Sequence, residues 1–355
     1  MELLQVIRTS QPKSKPNEGE LGFGKYFSDH MFVADYTSER GWHDARIIPY
    51  GPISLEPSAM VLHYGQEVFE GMKAYRGMNG EINLFRPEKN IQRMNMSCDR
   101  LGIPQVDPEW MLEAICKLVE IDGDWIPQRV ENSLYIRPFI IATEPCLGVR
   151  AAKEYQLLII TSPVGAYYSS GLAPVSIYVE DQYVRAVRGG TGAAKTSINY
   201  ASSIKAQEEA KSQGYSQVLW LDGIEQRYIE EVGSMNVFFK VAGEVITPEL
   251  NGSILPGITR DSVIAMLKHW GIPVTERKVT VEELFEAHQQ GKLEEAFGTG
   301  TAAVISPIGA MKWGEQSIQI NEGHIGAVSG RLYDSITGIQ QGKIDDPLHW
   351  RYLIG

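Results

Sequence analysis

Cysteine is scarce in this sequence. Only three of its 355 residues are cysteine, Cys98, Cys116 and Cys146, and no two of them are spaced as C-x-x-C. An odd number of widely separated thiols is not typical of a disulfide framework or of a structural zinc site. We therefore expect no metal site, and a reducing compartment.

Positive charge is also in deficit. Lys and Arg total 33 against 44 Asp and Glu, which gives a formal net charge of −11. No basic tract is present that could displace counterions from a nucleic acid or bind anionic lipid headgroups. Neither a nucleic acid nor a membrane is therefore expected among the partners.

Long apolar runs are missing as well. No run approaches the ~20 residues that span a bilayer, and the first residues, MELLQVIRTSQPKSKPNEGE, lack a basic start followed by an apolar core. This pattern predicts no signal peptide. Together with the scarce cysteine, it predicts a cytoplasmic protein.

The composition nevertheless allows a substantial interior. With 355 residues and 43% hydrophobic content, the chain is long enough for two domains. A stretch rich in Gly, Pro and Ser at 163–175 is the candidate interdomain loop. It would separate an N-terminal domain over 1–162 from a C-terminal domain over 176–355. Residues 9–20 are predicted to form a loose lead-in.

Helix boundaries are indicated by capping residues. Pro87 begins one predicted helix and Gly102 ends it, Asp107 caps the next, and Thr280 with Glu283 forms a capping box. A fourth helix is predicted in RDSVIAMLKHWG. Strands are predicted in YQLLIITS, PVSIYVE, QVLWLDG, MNVFFKV and EVITP. Helices and strands do not alternate regularly, which favours α+β units over a doubly wound sheet.

The stretch GGTGAAKTSINYASS, at 189–203, carries a lysine behind a glycine cluster. A phosphate-binding loop would need G-x-x-x-x-G-K-[ST], but Ala194 replaces the second glycine and Arg185 and Arg188 interrupt the preceding strand. A Schiff-base enzyme would use the Lys195 amine as a nucleophile. The residues alone leave a third reading open, a solvated lysine beside a glycine turn.

Eight segments, in order between residues 23 and 307, carry a more specific signal. They are FGKYFSDHMF, LHYGQEVFEGMKAYRG, LFRPEKNIQRM, SLYIRPFI, GGTGAAKTSINYASS, EEVGSMNVFF, LPGITRDSV and FGTGTAAVISP. Together they resemble the branched-chain amino-acid aminotransferases, which are fold-type IV pyridoxal-phosphate (PLP) enzymes.

The resemblance implies a fold and a reaction. The implied fold is a mixed α+β and α/β two-domain structure, with a smaller N-terminal α/β domain and a larger C-terminal pseudo-barrel domain joined by a short loop. The C-terminal domain would carry the PLP lysine. The implied reaction is reversible transfer of the amino group from L-leucine, L-isoleucine or L-valine to 2-oxoglutarate, through a PLP Schiff base.

The resemblance also assigns residues to the cofactor. Lys195 would be the catalytic lysine that holds PLP, Glu231 would bind the ring nitrogen, and Tyr200 would bind the ring hydroxyl. Adjacent strand residues point to opposite sides, so we expect Glu230 to be a solvated surface acid. The remaining implied cofactor residues are Arg93, Ile258, Thr259 and Thr301 at the phosphate, and Ser234 near the ring.

Substrate contacts follow from the same resemblance. An aromatic wall would accept branched side chains, Arg137 would meet the distal carboxylate of glutamate, and the backbone at Ala302 and Ala303 would receive the α-carboxylate. The implied wall consists of Phe23, Tyr64, Phe69 and Tyr135. Some animal members carry C-x-x-C after GTGTA, but here the sequence is AVIS at 303–306, which excludes thiol switching at that position.

The resemblance implies a homodimer, in which Leu147 and Val149 reach the site of the partner subunit. Three alternatives stand beside the leading hypothesis. They are another fold-type IV enzyme (a D-amino-acid aminotransferase or an aminodeoxychorismate lyase), an inactive homologue acting as a binding scaffold, and a nucleotide hydrolase.

Overall fold

The computed structural model describes residues 4–165 and 172–354. The described chain forms two compact units. The first unit comprises 4–165, 194–197 and 338–354, and the second comprises 172–193 and 198–337. Both units are mixed in secondary structure, so the predicted α+β and α/β character is confirmed.

The strands follow in chain order. They are β1 (Gln5–Val6), β2 (His30–Thr37), β3 (Gly41–Pro49), β4 (Glu67–Phe69), β5 (Met72–Arg76), β6 (Ile82–Phe85), β7 (Ser133–Ala142), β8 (Glu154–Val164), β9 (Val175–Glu180), β10 (Gln217–Leu221), β11 (Ile229–Val232), β12 (Met235–Val241), β13 (Glu244–Thr247), β14 (Val274–Glu276), β15 (Leu293–Gly300), β16 (Val304–Trp313), β17 (Gln316–Gln319) and β18 (Arg351–Ile354).

The α-helices are α1 (Met60–Tyr64), α2 (Pro87–Leu101), α3 (Pro108–Ile121), α4 (Ser197–Ser212), α5 (Ile258–His269), α6 (Val281–Gln289) and α7 (Ala327–Gln340). Short 3-10 helices cover Gly123–Trp125 and Asn321–Gly323. No helix in the described parts of the chain is both long enough and apolar enough to cross a bilayer.

The first unit is built on one sheet in the order β1-β3-β2-β8-β7-β5-β6-β18, with β4 paired to β7. Helices α2 and α3 pack against it. Asp107 accepts a hydrogen bond from the Trp110 amide at 2.9 Å and so caps α3, as predicted. The apolar stripes of both helices, including Met94 and Leu118, are fully buried in a core shared with Ile136 of the sheet.

The second unit contains a closed ring of strands. The order β11-β10-β9-β16-β15-β12 closes because β12 pairs with β11, while β13 and β14 extend from β12 and β17 pairs with β16. Phe238 and Phe297 stack in neighbouring strands, with ring centroids 5.3 Å apart. The predicted capping of α6 is confirmed, because Thr280 accepts from the Glu283 amide at 3.1 Å.

The two units differ in detail from the domains predicted from the sequence. Residues 163 and 164 belong to β8 and residue 175 begins β9, while 166–171 of the predicted loop lie outside the described residues. Residues 194–197 and the C-terminal strand belong to the first unit. The C-terminal strand belongs to the first unit because β18 pairs with β6 at the edge of its sheet. The loop at 163–175 stays a prediction.

Candidate active site

Lys195 is held by its backbone in the first unit. Its amide donates to the Ser97 hydroxyl at 2.9 Å, and its carbonyl accepts from the Phe69 amide at 3.0 Å. The side chain is half-buried, and its Nζ lies 4.9 Å from the centroid of the Phe69 ring. Lys195 is therefore anchored between α2 and β4, which is not the environment of a solvated turn lysine.

The residues after Lys195 are also fixed. Thr196 is fully buried, and its hydroxyl donates to the Glu67 carbonyl at 2.7 Å. Burial raises the pKa of the Glu67 carboxyl, although a hydrogen bond from Ser197 and the charge of Arg137 oppose that rise. Half-buried Glu67 therefore interacts both with the residues that follow Lys195 and with Arg137.

Arg93 occupies one buried face of α2. Its exposed fraction is 6%, so it is not a solvent-facing charge. Its Nε donates to Oε1 of Glu70 at 2.7 Å, and its Nη2 donates to Oε2 at 2.9 Å. Asn90 donates to the same carboxylate at 2.8 Å. The Arg93 fork is therefore oriented by a fully buried acid.

The aromatic residues of the first unit form a continuous set with Arg137. Phe23 and Tyr135 meet edge to face, with centroids 5.0 Å apart. The Arg137 guanidinium lies over both Phe69, at 4.8 Å, and Tyr135, at 5.3 Å from the centroids. Its Nη2 donates to the Tyr135 hydroxyl at 3.2 Å, while its Nε is buried and has no hydrogen-bond partner within the described chain.

Tyr64 is placed next to the loop that holds Leu147 and Val149. The Tyr64 hydroxyl donates to the Leu147 carbonyl. The two apolar side chains of the loop point outward and are 64% and 83% exposed. Both are among the most exposed large apolar side chains of the described residues.

Glu231 is the buried acid of the second unit. Its Oε1 accepts from the Leu255 amide at 2.7 Å and lies 3.1 Å from Nη2 of Arg185. Glu231 and Arg185 are 2% and 8% exposed. The guanidinium and the amide together stabilise an ionised carboxylate at this position.

Glu230 was expected to be a solvated surface acid, and that prediction is wrong. Its side chain lies on the opposite side of β11 from Glu231, yet it is only 2% exposed. The segment 251–253 covers it, because Asn251 Nδ2 donates to its Oε1 at 3.1 Å and the Ser253 hydroxyl bonds to the same oxygen.

The start of α5 presents backbone N–H groups. Gly257 precedes the first helical residues Ile258 and Thr259, and no side chain in the described residues caps this end. A Cβ at Gly257 would overlap Oδ1 of Asn236, so any larger residue here would require the Asn236 side chain to move. An uncapped 12-residue helix with its N–H groups available suits an anion.

The remaining predicted residues of the second unit lie in turns or on α4. Tyr200 is half-buried in α4, and Ser234 is exposed in the turn between β11 and β12. Thr301, Ala302 and Ala303 form the turn between β15 and β16. The next residue, Val304, has a φ of 61°, a conformation that a β-branched residue adopts only when its surroundings impose it.

Two groups of residues therefore emerge. In the first unit, contacts connect Lys195, Phe69, Arg137, Tyr135 and Phe23. In the second, the segment 255–259 connects Glu231 to the start of α5. Sequence reasoning missed the polar and charged side chains that hold these groups. Glu70, Ser97 and Arg185 have no local signature, although Glu70 directly follows Phe69 in one of the eight segments.

Comparison with known proteins gives consistent results. The model of the amino-transferase class IV family matches residues 67–311. The chain is 60% identical over 347 residues to branched-chain-amino-acid aminotransferase 2 of Bacillus subtilis (strain 168), covering 98% of this chain and 96% of that protein.

Solved structures of similar fold belong to the same group. The branched-chain amino acid aminotransferase of Escherichia coli is 27% identical, with a TM-score of 0.78 over 92% of this chain and 99% of that one. The T.th. branched-chain amino acid aminotransferase complexed with N-(5'-phosphopyridoxyl)-L-glutamate is 26% identical, with a TM-score of 0.76 over 95% of this chain and 99% of that one.

Proposed function

Because this chain belongs to the amino-transferase class IV family, we propose that it reversibly transfers the amino group of L-leucine, L-isoleucine or L-valine to 2-oxoglutarate. The observation that carries the choice of substrate is the 60% identity, over nearly the whole chain, to a branched-chain-amino-acid aminotransferase. The products would be branched 2-oxo acids and L-glutamate.

The cofactor that we propose is pyridoxal 5'-phosphate. It supplies, when bound, an aldehyde that captures an amine and a ring that withdraws electrons from Cα. The side chains of this structure fit that chemistry. The half-buried Lys195 offers an amine, the buried Glu231 offers a carboxylate for a ring cation, and the uncapped start of α5 offers N–H groups to a phosphate.

Lys195 is proposed as the catalytic residue. Its amine would hold the aldehyde carbon and, once released, take the proton from the substrate Cα as a general base. The hydrogen bond that the Lys195 amide donates to Ser97 and the one that its carbonyl accepts from the Phe69 amide fix the backbone on both sides. Only the side chain is then left to move, which limits the positions that Nζ can reach.

The other proposed cofactor contacts divide by chemistry. Glu231 would keep the ring nitrogen protonated, Tyr200 would donate to the ring hydroxyl, and Ser234 would lie near the ring. Charge and hydrogen-bond donors would meet the phosphate. For this we propose Arg93, the amides of Ile258 and Thr259, and the hydroxyl of Thr301.

Substrate recognition is proposed to use one apolar and one charged element. Phe23, Tyr64, Phe69 and Tyr135 would exclude water from a branched side chain. Arg137 would bind the distal carboxylate of glutamate, and the buried Nε without a partner in the described residues supports this role. The backbone at Ala302 and Ala303 would receive the α-carboxylate.

Assembly as a homodimer is also proposed. It is supported by the exposed apolar side chains of Leu147 and Val149, which a partner subunit would cover. A cytoplasmic location stays a prediction, supported by three cysteines that form no disulfide.

The proposal is tested by following formation of glutamate, in either configuration, from 2-oxoglutarate with L-leucine, L-isoleucine, L-valine or D-alanine as the donor. Lys195→Ala should reduce turnover with all donors below detection. Lys205→Ala is the matched control, because this lysine lies on α4 and its side chain is 67% exposed. Turnover confined to D-alanine, or retained in Lys195→Ala, would contradict the proposal.

A further inference from the structure

A cavity of about 380 Å³ lies in the second unit, between the strand end at β11 and the segment 248–254. Its lining includes Glu230, Asn251 and Ser253 but none of the residues proposed above for cofactor or substrate. This volume suits a small metabolite. The proposed reaction leaves the cavity without a role.

Glu230 is the buried acid of this cavity. Its Oε1 is satisfied by Asn251 and Ser253, and Asn251 is itself held by the Ser253 amide at 2.9 Å. Its Oε2 is buried and has no hydrogen-bond partner within 4–165 and 172–354. A carboxylate out of water with one unsatisfied oxygen is unfavourable unless a donor meets it. A cationic amine is the donor that compensates both the hydrogen bond and the charge.

The rest of the lining indicates what else the occupant carries. Ile229 and Ile254, each 2% exposed, form an apolar floor, and Leu250 continues it toward the surface. Two exposed cationic residues, Arg188 and Lys278, stand at the opening, and Lys278 Nζ lies 4.5 Å from the Tyr228 ring centroid. A buried acid, an apolar floor and cations at the opening complement an ammonium, an apolar side chain and a carboxylate.

We propose that this cavity binds a zwitterionic amino acid with an apolar side chain, with the ammonium on Glu230 and the carboxylate toward Lys278. Three other acids of the lining do not compete for the ammonium. Asp222 accepts four backbone N–H bonds from the turn that follows it, so both of its oxygens are satisfied. Glu225 and Glu249 are exposed to solvent.

The cavity is connected to Glu231 through hydrogen bonds. Ser253 binds Glu230 with its hydroxyl and accepts a hydrogen bond from Nη2 of Arg185 at its carbonyl. The same Nη2 lies 3.1 Å from Oε1 of Glu231. An amino acid on Glu230 would therefore change the position of Ser253 and, through Arg185, the surroundings of Glu231. An effect on turnover, unlike the binding itself, rests on the proposed function.

The test measures binding of N-methyl-L-leucine to the holoenzyme by equilibrium dialysis. This probe is a zwitterion with an apolar side chain, and its secondary amine does not form a neutral imine with an aldehyde. We expect one equivalent to bind per chain. Glu230→Gln should weaken binding by about tenfold to a hundredfold, because a charge-assisted hydrogen bond is lost. Glu286→Gln, an exposed carboxylate on α6 outside the cavity, should leave binding unchanged.

Lys278→Gln tests the other end of the occupant. It should weaken binding of N-methyl-L-leucine but not of N-methyl-3-methylbutylamine, which lacks the carboxylate. Folding of both variants is checked by circular dichroism. If Glu230→Gln does not fold, the proposal is tested with Lys278→Gln alone. Absence of binding to the wild type, or equal binding to wild type and Glu230→Gln, would overturn the proposal whatever the transaminase assay shows.

Discussion

Replacing Glu70 by glutamine removes the charge that faces Arg93 in the first unit. Glu70 is fully buried and accepts two hydrogen bonds from the Arg93 guanidinium, one from Asn90 and one from the Gly71 amide at 3.1 Å. Glutamine has the same shape, but its amide nitrogen would face the donor nitrogens of Arg93 or Asn90. The substitution therefore leaves a buried cation without its counter-charge.

The cost follows from that burial. Removing one partner of a buried ion pair destabilises a protein by about 3–5 kcal/mol, because the remaining charge is neither solvated nor paired. The loss of two charge-assisted hydrogen bonds, at about 1.5–3 kcal/mol each, gives a similar total of about 3–6 kcal/mol. An exposed pair behaves differently. Glu120→Gln disrupts the Lys117–Glu120 pair, whose side chains are 49% and 42% exposed, and should cost below about 1 kcal/mol.

The loss should depend on pH in a defined direction. Burial alone would raise the pKa of Glu70, but the charge and hydrogen bonds of Arg93, with a contribution from Lys195, hold it below the ordinary value of 4.5. The stabilisation that the Glu70 carboxylate contributes is thus fully present above pH 4.5. It is lost as the pH falls through the lowered pKa of Glu70 in the folded state. The difference in stability between wild type and Glu70→Gln should be constant at neutral pH and shrink in acid.

Hydrogen–deuterium exchange of the α2 amides, read by mass spectrometry, measures the free energy of opening in this part of the chain. A local readout is needed because two units can unfold separately. The double variant Glu70→Gln/Arg93→Gln should recover part of the loss, since no buried charge remains. Two results would contradict this account of the Glu70–Arg93 pair. One is a loss below about 1 kcal/mol in Glu70→Gln, and the other is a double variant whose free energy of opening is no higher than that of the single variant.

Three further outcomes are expected. Gly192→Ala would place a Cβ against the Ser253 carbonyl oxygen, so it should lower the melting temperature by the equivalent of about 1–3 kcal/mol. Gly51→Ala is the control and should leave the melting temperature unchanged, because a Cβ there would meet nothing within 4 Å. Asp107→Ala removes the cap of α3 and should cost about 0.5–2 kcal/mol in urea denaturation, and an unchanged midpoint would contradict the capping role. Burial raises the pKa of Cys98 to about 12, so iodoacetamide at neutral pH should leave this thiol unmodified until the protein unfolds. Peptide mapping that finds Cys98 labelled in the folded protein would refute that expectation.

Helix boundaries were predictable because capping is local. Pro87, Asp107 and Thr280 lie within a few residues of the backbone groups that they organise, and all three stand where the sequence placed them at the start of a helix. The family resemblance, drawn from eight ordered segments, is confirmed by the family match at 67–311. The roles of individual site residues within it stay proposals.

Burial of charged side chains was not predictable in the same way. The sequence predicts Glu230 to be a surface acid, because Glu230 and its neighbour Glu231 point to opposite sides of the strand. Only the folded chain places the segment 251–253 over Glu230. Arg185 entered the sequence argument only as an interruption of a strand, yet it lies against Glu231, 46 residues further along the chain.

By itself, the sequence determined the family and the ends of the capped helices, because motifs and caps act over a few residues. The tertiary structure alone decided which charges are paired and buried. Glu70 with Arg93, Glu231 with Arg185, and the cavity at Glu230 each depend on segments far apart in the chain. The free energy of a buried charge is set by the atoms that surround it, and those atoms are known only once the chain has folded.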